Sequence, residues 1–417
     1  MTLAGTTTSA SLDDGPSWVR RATISLNGTN IDDTDLANRF ANANVYGGAD
    51  QAWYRGAGSF AGYWAQNPGL NVTGAAYPSA VYPTGDLSGA MPAATARYVA
   101  GAQMAYPLGL VSKFFNTKQY LPLSQCGELV IQLLCAQNAE AIFQLPGSTG
   151  ATYSLTNIFL EVDLIQPHYL YQEMLNRVTQ MEGEQGLVVP FNAVISAQGQ
   201  SVTSSGQANI VTSLATNNLR KVMVTMTPTD SLGSINFPVV SCFGNNYLTG
   251  LQFRVGSLYF PSQEAVNTGS IFWMTESAFN GGEPVHHRNG LIDYNLFLKT
   301  TSPSGYQTTS STSWVSPPAA VAATGSPQQY WGDSCVLAYG FDNYKGGEAL
   351  DADGISVLGQ AGSQLVTLLR IAPATGTNAT TTQLTRAYIG SGVTPTIHLE
   401  RTRYLVLKNG SLRIEGV

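Results

Sequence analysis

Charge is what this sequence has least of: Asp, Glu, Lys and Arg together make up 11% of its 417 residues, where an ordinary soluble domain carries about 25%. A surface so poor in charge suits a chain that keeps much of its polar-neutral exterior against other protein. It suits a freely diffusing enzyme poorly. Basic residues number 20 against 26 acidic ones, for a net charge of −6. They are scattered, the first being Arg20, with no run longer than the pairs Arg20-Arg21 and Arg220-Lys221, so there is no basic arm to neutralise phosphates and direct nucleic-acid binding is not expected. No apolar run approaches the ~18 residues of a membrane-spanning helix. The start, Met1-Thr2-Leu3-Ala4-Gly5-Thr6, has neither a basic region nor an apolar core, so no signal peptide is expected. The sequons at Asn27, Asn71, Asn378 and Asn409 then read as chance in an Asn/Thr/Ser-rich chain.

Further absences narrow the chemistry. There is no G-x-S-x-G elbow, no phosphate-binding G-x-x-x-x-G-K-[ST] loop, no G-x-G-x-x-G and no H-E-x-x-H. Cys126, Cys135, Cys242 and Cys335 form no C-x-x-C pair and read as structural thiols. Of the four histidines, His286 and His287 are adjacent and would point to opposite faces of a strand, which hinders joint metal ligation. His168 and His398 stand alone. Asp351-Ala352-Asp353-Gly354 opens like a calcium loop, but Gly arrives at the fourth position and Gly362 stands where the closing Glu belongs. Glu161 and Asp163 form a carboxylate pair of the type glycosidases use, yet simple alternation explains them as the polar face of a strand. Neither a cofactor nor a metal is expected.

What is present is β-structure. Apolar residues alternate in Leu129 to Leu133, in Ile158-Phe159-Leu160-Glu161-Val162-Asp163-Leu164, in Val222 to Met226, and in Ile292 to Leu298, as strands with one buried face require. Tyr404 to Ile414 carries Asn409-Gly410 between two such runs, which predicts a terminal hairpin. Helices are few. Leu170, Met174, Val178 and Met181 recur at helical spacing after Pro167, and Asp32 to Phe40 predicts a second helix with Asp32 or Asp33 as its cap. Residues 41–107, 196–216 and 301–330 read as long strand-poor stretches. The length exceeds the roughly 250 to 300 residues at which single cores stop growing, so two domains are expected.

The stretch 41–107 has four charged residues against ten aromatics, the reverse of a disordered segment. Trp53-Tyr54 and Tyr63-Trp64 within it are candidates for subunit contacts, where such residues are enriched. A sugar-stacking surface on a lectin-like β-sandwich is the alternative.

The order of segments resembles the double jelly-roll major capsid proteins of small eukaryotic double-stranded DNA viruses, of the Polinton-like virus and virophage type, with adenovirus hexon a distant relative. The likeness rests on Trp18 to Thr29 with the helix to Phe40; on Phe114-Phe115, Tyr120-Leu121-Pro122-Leu123 and Glu128 to Leu133; and on Tyr153 to Asp163 with its following helix. It continues in Asn218 to Val224, Gln252 to Gln263 and Leu399 to Ile414. This resemblance implies an all-β fold of two tandem eight-stranded jelly rolls: an N-terminal arm over 1–16, a first jelly roll over 17–240 with the excursion 41–107, and a second over 241–417 with the loop 301–330. It implies a structural subunit without enzymatic activity, forming pseudo-hexagonal homotrimers that tile an icosahedral shell beside penton and minor capsid proteins. The implied location is the virion. The arm is shorter than the family leads one to expect.

Overall fold

The computed structural model describes residues 2–4, 10–12, 15–49, 53, 57–58, 61, 105–117, 121–144, 152–166, 168–180, 186–202, 206–213, 216–229, 232–233, 235, 239–240, 243, 248–266, 268–279, 306–307, 329–330, 335–341, 354–358, 364–371, 393–408 and 411–415. These form antiparallel sheets with few helices, as the alternation predicts. A first sheet holds β1 (Val19–Leu26) between β2 (Thr29–Asp35) and β3 (Leu129–Cys135). The helix α1 (Ala37–Gly48) follows β2. Beyond β3 come α2 (Tyr169–Gln180), β4 (Leu187–Gln198), β5 (Gly206–Ser213) and β6 (Leu219–Pro228). After these run β7 (Leu248–Val255), β8 (Leu258–Ala265), α3 (Thr268–Phe279), β9 (Val336–Gly340) and β10 (Gln364–Ile371). The chain closes with β11 (Val393–Lys408) and β12 (Ser411–Glu415).

The 16-residue strand β11 organises the second sheet. One edge pairs with β6 from Val393 to Arg401 and then with β12 from Tyr404 to Lys408; the other pairs with β4. On the far side of β6 lies β9. A third sheet runs β8-β7-β10-β5. Ile397 and Leu399 of β11 join Val222, Val224, Leu251, Phe253, Leu337, Leu365 and Leu369 in the largest core, which α1 and α3 also enter through Phe40, Tyr46 and Ile271. Farther along β11, Leu405 and Leu407 join Ile24, Leu26, Ile31, Val189 and Phe191 in a second core. One strand thus supplies both, with Ile397 and Leu399 toward one end and Leu405 and Leu407 toward the other on the same face, and Arg401 and Arg403 between them.

The structure corrects three expectations. Asp32 and Asp33 belong to β2, not to a helix cap: Asp33 receives the Arg21 guanidinium and the Thr23 hydroxyl, side chains of the paired strand β1, which holds the chain extended. The helix starts only after Leu36, which turns the chain with φ 51°. Residues 196–216 are not strand-poor: β4 runs on to Gln198, and β5 pairs with β10 over its full length. Its sequence, GQANIVTS, conceals this because only Ile210 and Thr212 are buried. Third, among the described residues Ile158 to Leu164 pairs with no strand and lies outside every sheet, although its chain leaves the short strand Thr152–Ser154 just before. Asn157 stands between the two with φ 55°, a left-handed conformation that Asn tolerates better than most residues.

The remaining expectations divide. The strand over Leu129 to Leu133, the strand over Val222 to Met226, the helix after Pro167 and the terminal hairpin are present. Ile292 to Leu298 lies outside the described residues, as do His286, His287 and Cys242.

Candidate assembly surface

Of the four aromatics singled out for subunit contacts, Tyr54, Tyr63 and Trp64 lie outside the described residues. Trp53 is half-buried and packs on the largest core of its own chain. Tyr46 and Tyr106 of the same aromatic-rich stretch do likewise: Tyr46 meets Phe243 edge-on at 6.0 Å and Tyr106 lies 6.1 Å from the Trp18 ring.

The exposed apolar surface lies elsewhere. Ile158, Phe159, Leu160, Val162, Leu164 and Ile165 are between 55% and 79% exposed, and Tyr169, Leu170, Tyr171 and Met174 of α2 extend the patch. Such a continuous run on a monomer marks a contact surface, whereas scattered single residues would not. Glu161 and Asp163 sit within it, exposed and without a cation at salt-bridge distance among the described residues. At the start of the patch is an open groove of about 610 Å³, lined by Cys135 to Asn138, by Tyr153 to Leu155 and by Ile158. The Tyr153 hydroxyl donates to the Ala136 carbonyl there, and burial pushes its pKa up to about 12.

Sequence reasoning missed the polar interior, because its members are hundreds of residues apart. Glu400 of β11 forms a salt bridge to Lys221 Nζ at 3.2 Å and accepts a hydrogen bond from Asn192 Nδ2 at 3.1 Å, while Arg220 donates to Asn192 Oδ1 at 3.2 Å. Loss of solvent raises the Glu400 pKa, but Lys221, Lys113 and Arg220 outweigh it and hold the carboxyl down to about 2. Lys113 donates to Asn44 Oδ1 of α1 at 3.1 Å. Nearby, His398 Nδ1 lies 2.7 Å from Ser196 Oγ, and burial, with Arg39 adding to it, depresses its pKa to about 3. Asp32 accepts from Ser112 and Thr34, and burial raises it to about 6. These groups clamp α1, β4, β6 and β11 together. Among the described residues, no three His, Cys, Asp or Glu side chains converge as a metal site would need.

His168 is exposed and stacks on Tyr169 at 4.4 Å. Asp351 and Asp353 lie outside the described residues, and the Gly354 amide beside them donates to Asn218 Oδ1 at 2.7 Å.

No protein-family model matches the chain, and no curated protein matches its sequence. Among solved structures it is similar to the Faustovirus major capsid protein, at 10% identity over 96% of this chain and 74% of that one, with a TM-score of 0.49. It is similar to the Sputnik virophage structure at 10% identity, over 98% of this chain and 77% of that one, with a TM-score of 0.45. For the mavirus major capsid protein the figures are 10% identity, 100% of this chain, 81% of that one and a TM-score of 0.43.

Proposed function

We propose that this chain is the major capsid protein of an icosahedral double-stranded DNA virus, a structural subunit whose work is association. Two tandem jelly rolls, dividing near residue 240, form one subunit, and three subunits form a pseudo-hexagonal capsomer. Penton and minor capsid proteins would complete the shell, with the virion as the site of action. The observation that carries the reading is the pairing of a charge-poor antiparallel β-fold with the exposed apolar side chains of α2, Tyr169, Leu170, Tyr171 and Met174. Charge-poor surfaces of this kind bury against neighbours without stranding unpaired charge. The ordered run of sequence segments described above supports the same reading.

Tyr54, Tyr63 and Trp64 are proposed as contact residues between subunits, and Trp53 as the core-packed base of that excursion. Nothing favours the lectin-like alternative, since Trp53 faces its own core. Light scattering tests the proposal: a closed cyclic assembly is the common form of homo-oligomers, and three chains of 44.3 kDa give about 133 kDa. A monomer at all micromolar concentrations overturns it.

A further inference from the structure

The free edge of β3 and the unpaired run after Asn157 fit each other. Strand β3 ends the first sheet, so among the described residues one side of its backbone meets no strand. Its Val130 and Leu134 are 44% and 57% exposed, while Leu129, Ile131 and Leu133 on the other face pack against buried cores. An exposed apolar edge is a template for strand pairing, and folded proteins usually cover it. The run Ile158 to Leu164 has seven residues, as β3 does. From Leu160 it alternates apolar and polar side chains, and it pairs with no strand among the described residues.

We propose that residues 158–164 close onto β3 of the same chain as a fourth, antiparallel strand, with Ile158 opposite Cys135. Two observations set this register. Ile158 and Cys135 line one groove, and the hydroxyl of Tyr153 holds its backbone to Ala136, at the end of β3. Counting antiparallel from that point places Leu160 beside Leu133, Val162 beside Ile131 and Leu164 beside Leu129, all on the core-facing side. Glu161 and Asp163 then fall on the outer face beside Gln132 and Val130. A slip of one residue would reverse every one of these assignments and turn both carboxylates inward, so the pattern admits this register and opposes its neighbours. Asn157, in its left-handed conformation, is the pivot. The same chain is the occupant because the run begins at the groove itself, where tethering gives it a far higher effective concentration than a second copy. This inference rests on the sheet edge and does not depend on the capsid reading.

The test uses the full chain and its native exposed Cys135. Ile158→Cys, at a position 72% exposed, leaves the folded cores untouched. Mild oxidation is expected to give a disulfide within one chain, seen as a single-chain band of altered mobility on a non-reducing gel. Cleavage after Glu140 separates the two cysteines, so digestion with mass spectrometry identifies the link. Phe159→Cys, whose side chain faces away from Cys135 in this register, is expected to cross-link to it roughly tenfold more slowly. A second opposed pair, Leu134→Cys with Phe159→Cys in a Cys135→Ser background, is expected to close as readily, since both kinds of opposed antiparallel pair lie within disulfide reach. Equal rates at positions 158 and 159 with Cys135 overturn the register. Cross-links between chains overturn the intramolecular pairing and make a second copy the occupant. Absence of any cross-link in both opposed pairs overturns the proposal.

Discussion

Replacing Glu400 by Gln removes the one carboxylate that three buried or half-buried cations share. Lys221 lies 3.2 Å away, with Lys113 and Arg220 acting from farther off. Desolvation alone would raise the carboxyl's pKa, yet the net effect lowers it from 4.5 to about 2. At 1.36 kcal/mol per unit, this shift corresponds to about 3 kcal/mol of folding stability. Because folding lowers the pKa, that contribution is whole above pH 4.5 and is lost as the pH falls toward about 2. Glu400→Gln is therefore expected to destabilise the protein by about 3 kcal/mol at neutral pH, since Lys221, Lys113 and Arg220 lose their attraction to this carboxylate. The gap to the parent is expected to narrow by more than half near pH ~3, where the parent has lost most of the same stabilisation. Urea unfolding at fixed protein concentration and several pH values measures both quantities. A Gln variant within about 0.5 kcal/mol of the parent at neutral pH would refute the reasoning, because changes of that size are typical of surface sites.

Three other perturbations follow from the same interior, and a fourth from the proposed interface. Folding lowers the His398 pKa from 6.5 to about 3, so protonation favours the unfolded chain and stability declines as pH drops between those values; His398→Gln is expected to flatten this decline in thermal melts. Folding raises Asp32 from 3.8 to about 6, which is the opposite case, and Asp32→Asn is expected to raise stability above pH 6 by up to about 3 kcal/mol, with no gain below pH 3.8. Gly186 sits at φ +80° with the Leu407 carbonyl oxygen 2.4 Å from where a Cβ would be, so Gly186→Ala is expected to cost roughly 1–3 kcal/mol in denaturant unfolding. If Tyr54, Tyr63 and Trp64 anchor the subunit contact, changing all three to Ala is expected to weaken trimer formation by roughly 2 kcal/mol or more in sedimentation equilibrium.

Much of the β-structure was legible because period-two alternation records a face as well as a conformation. Leu129 to Leu133 shows this, with one face against the cores, whereas Val222 to Met226 is buried on both faces. The terminal hairpin was legible for a local reason, two strand-like runs around Asn-Gly, and Lys408 does pair with Ser411. Strand β5 was hidden because most of its side chains face solvent, leaving a polar sequence with little pattern. The Asp-rich segment of β2 misled in the opposite way: Asp caps helices in general, but here Arg21 and Thr23 across the sheet hold Asp33. Ile158 to Leu164 reads as a strand in sequence but joins no sheet among the described residues, because alternation fixes which side chains share a face and not which edge accepts them. The buried cluster around Glu400 left no trace at all. Lys113, Asn192, Lys221 and Glu400 are single residues in four separate segments, and only the pairing of β11 with both β4 and β6 brings three of them together.

Negative-stain imaging of the purified full-length protein tests the central claim most directly. The account predicts particles of hexagonal outline with threefold symmetry. Uniform particles the size of a single chain, without threefold averages at any concentration, would contradict it.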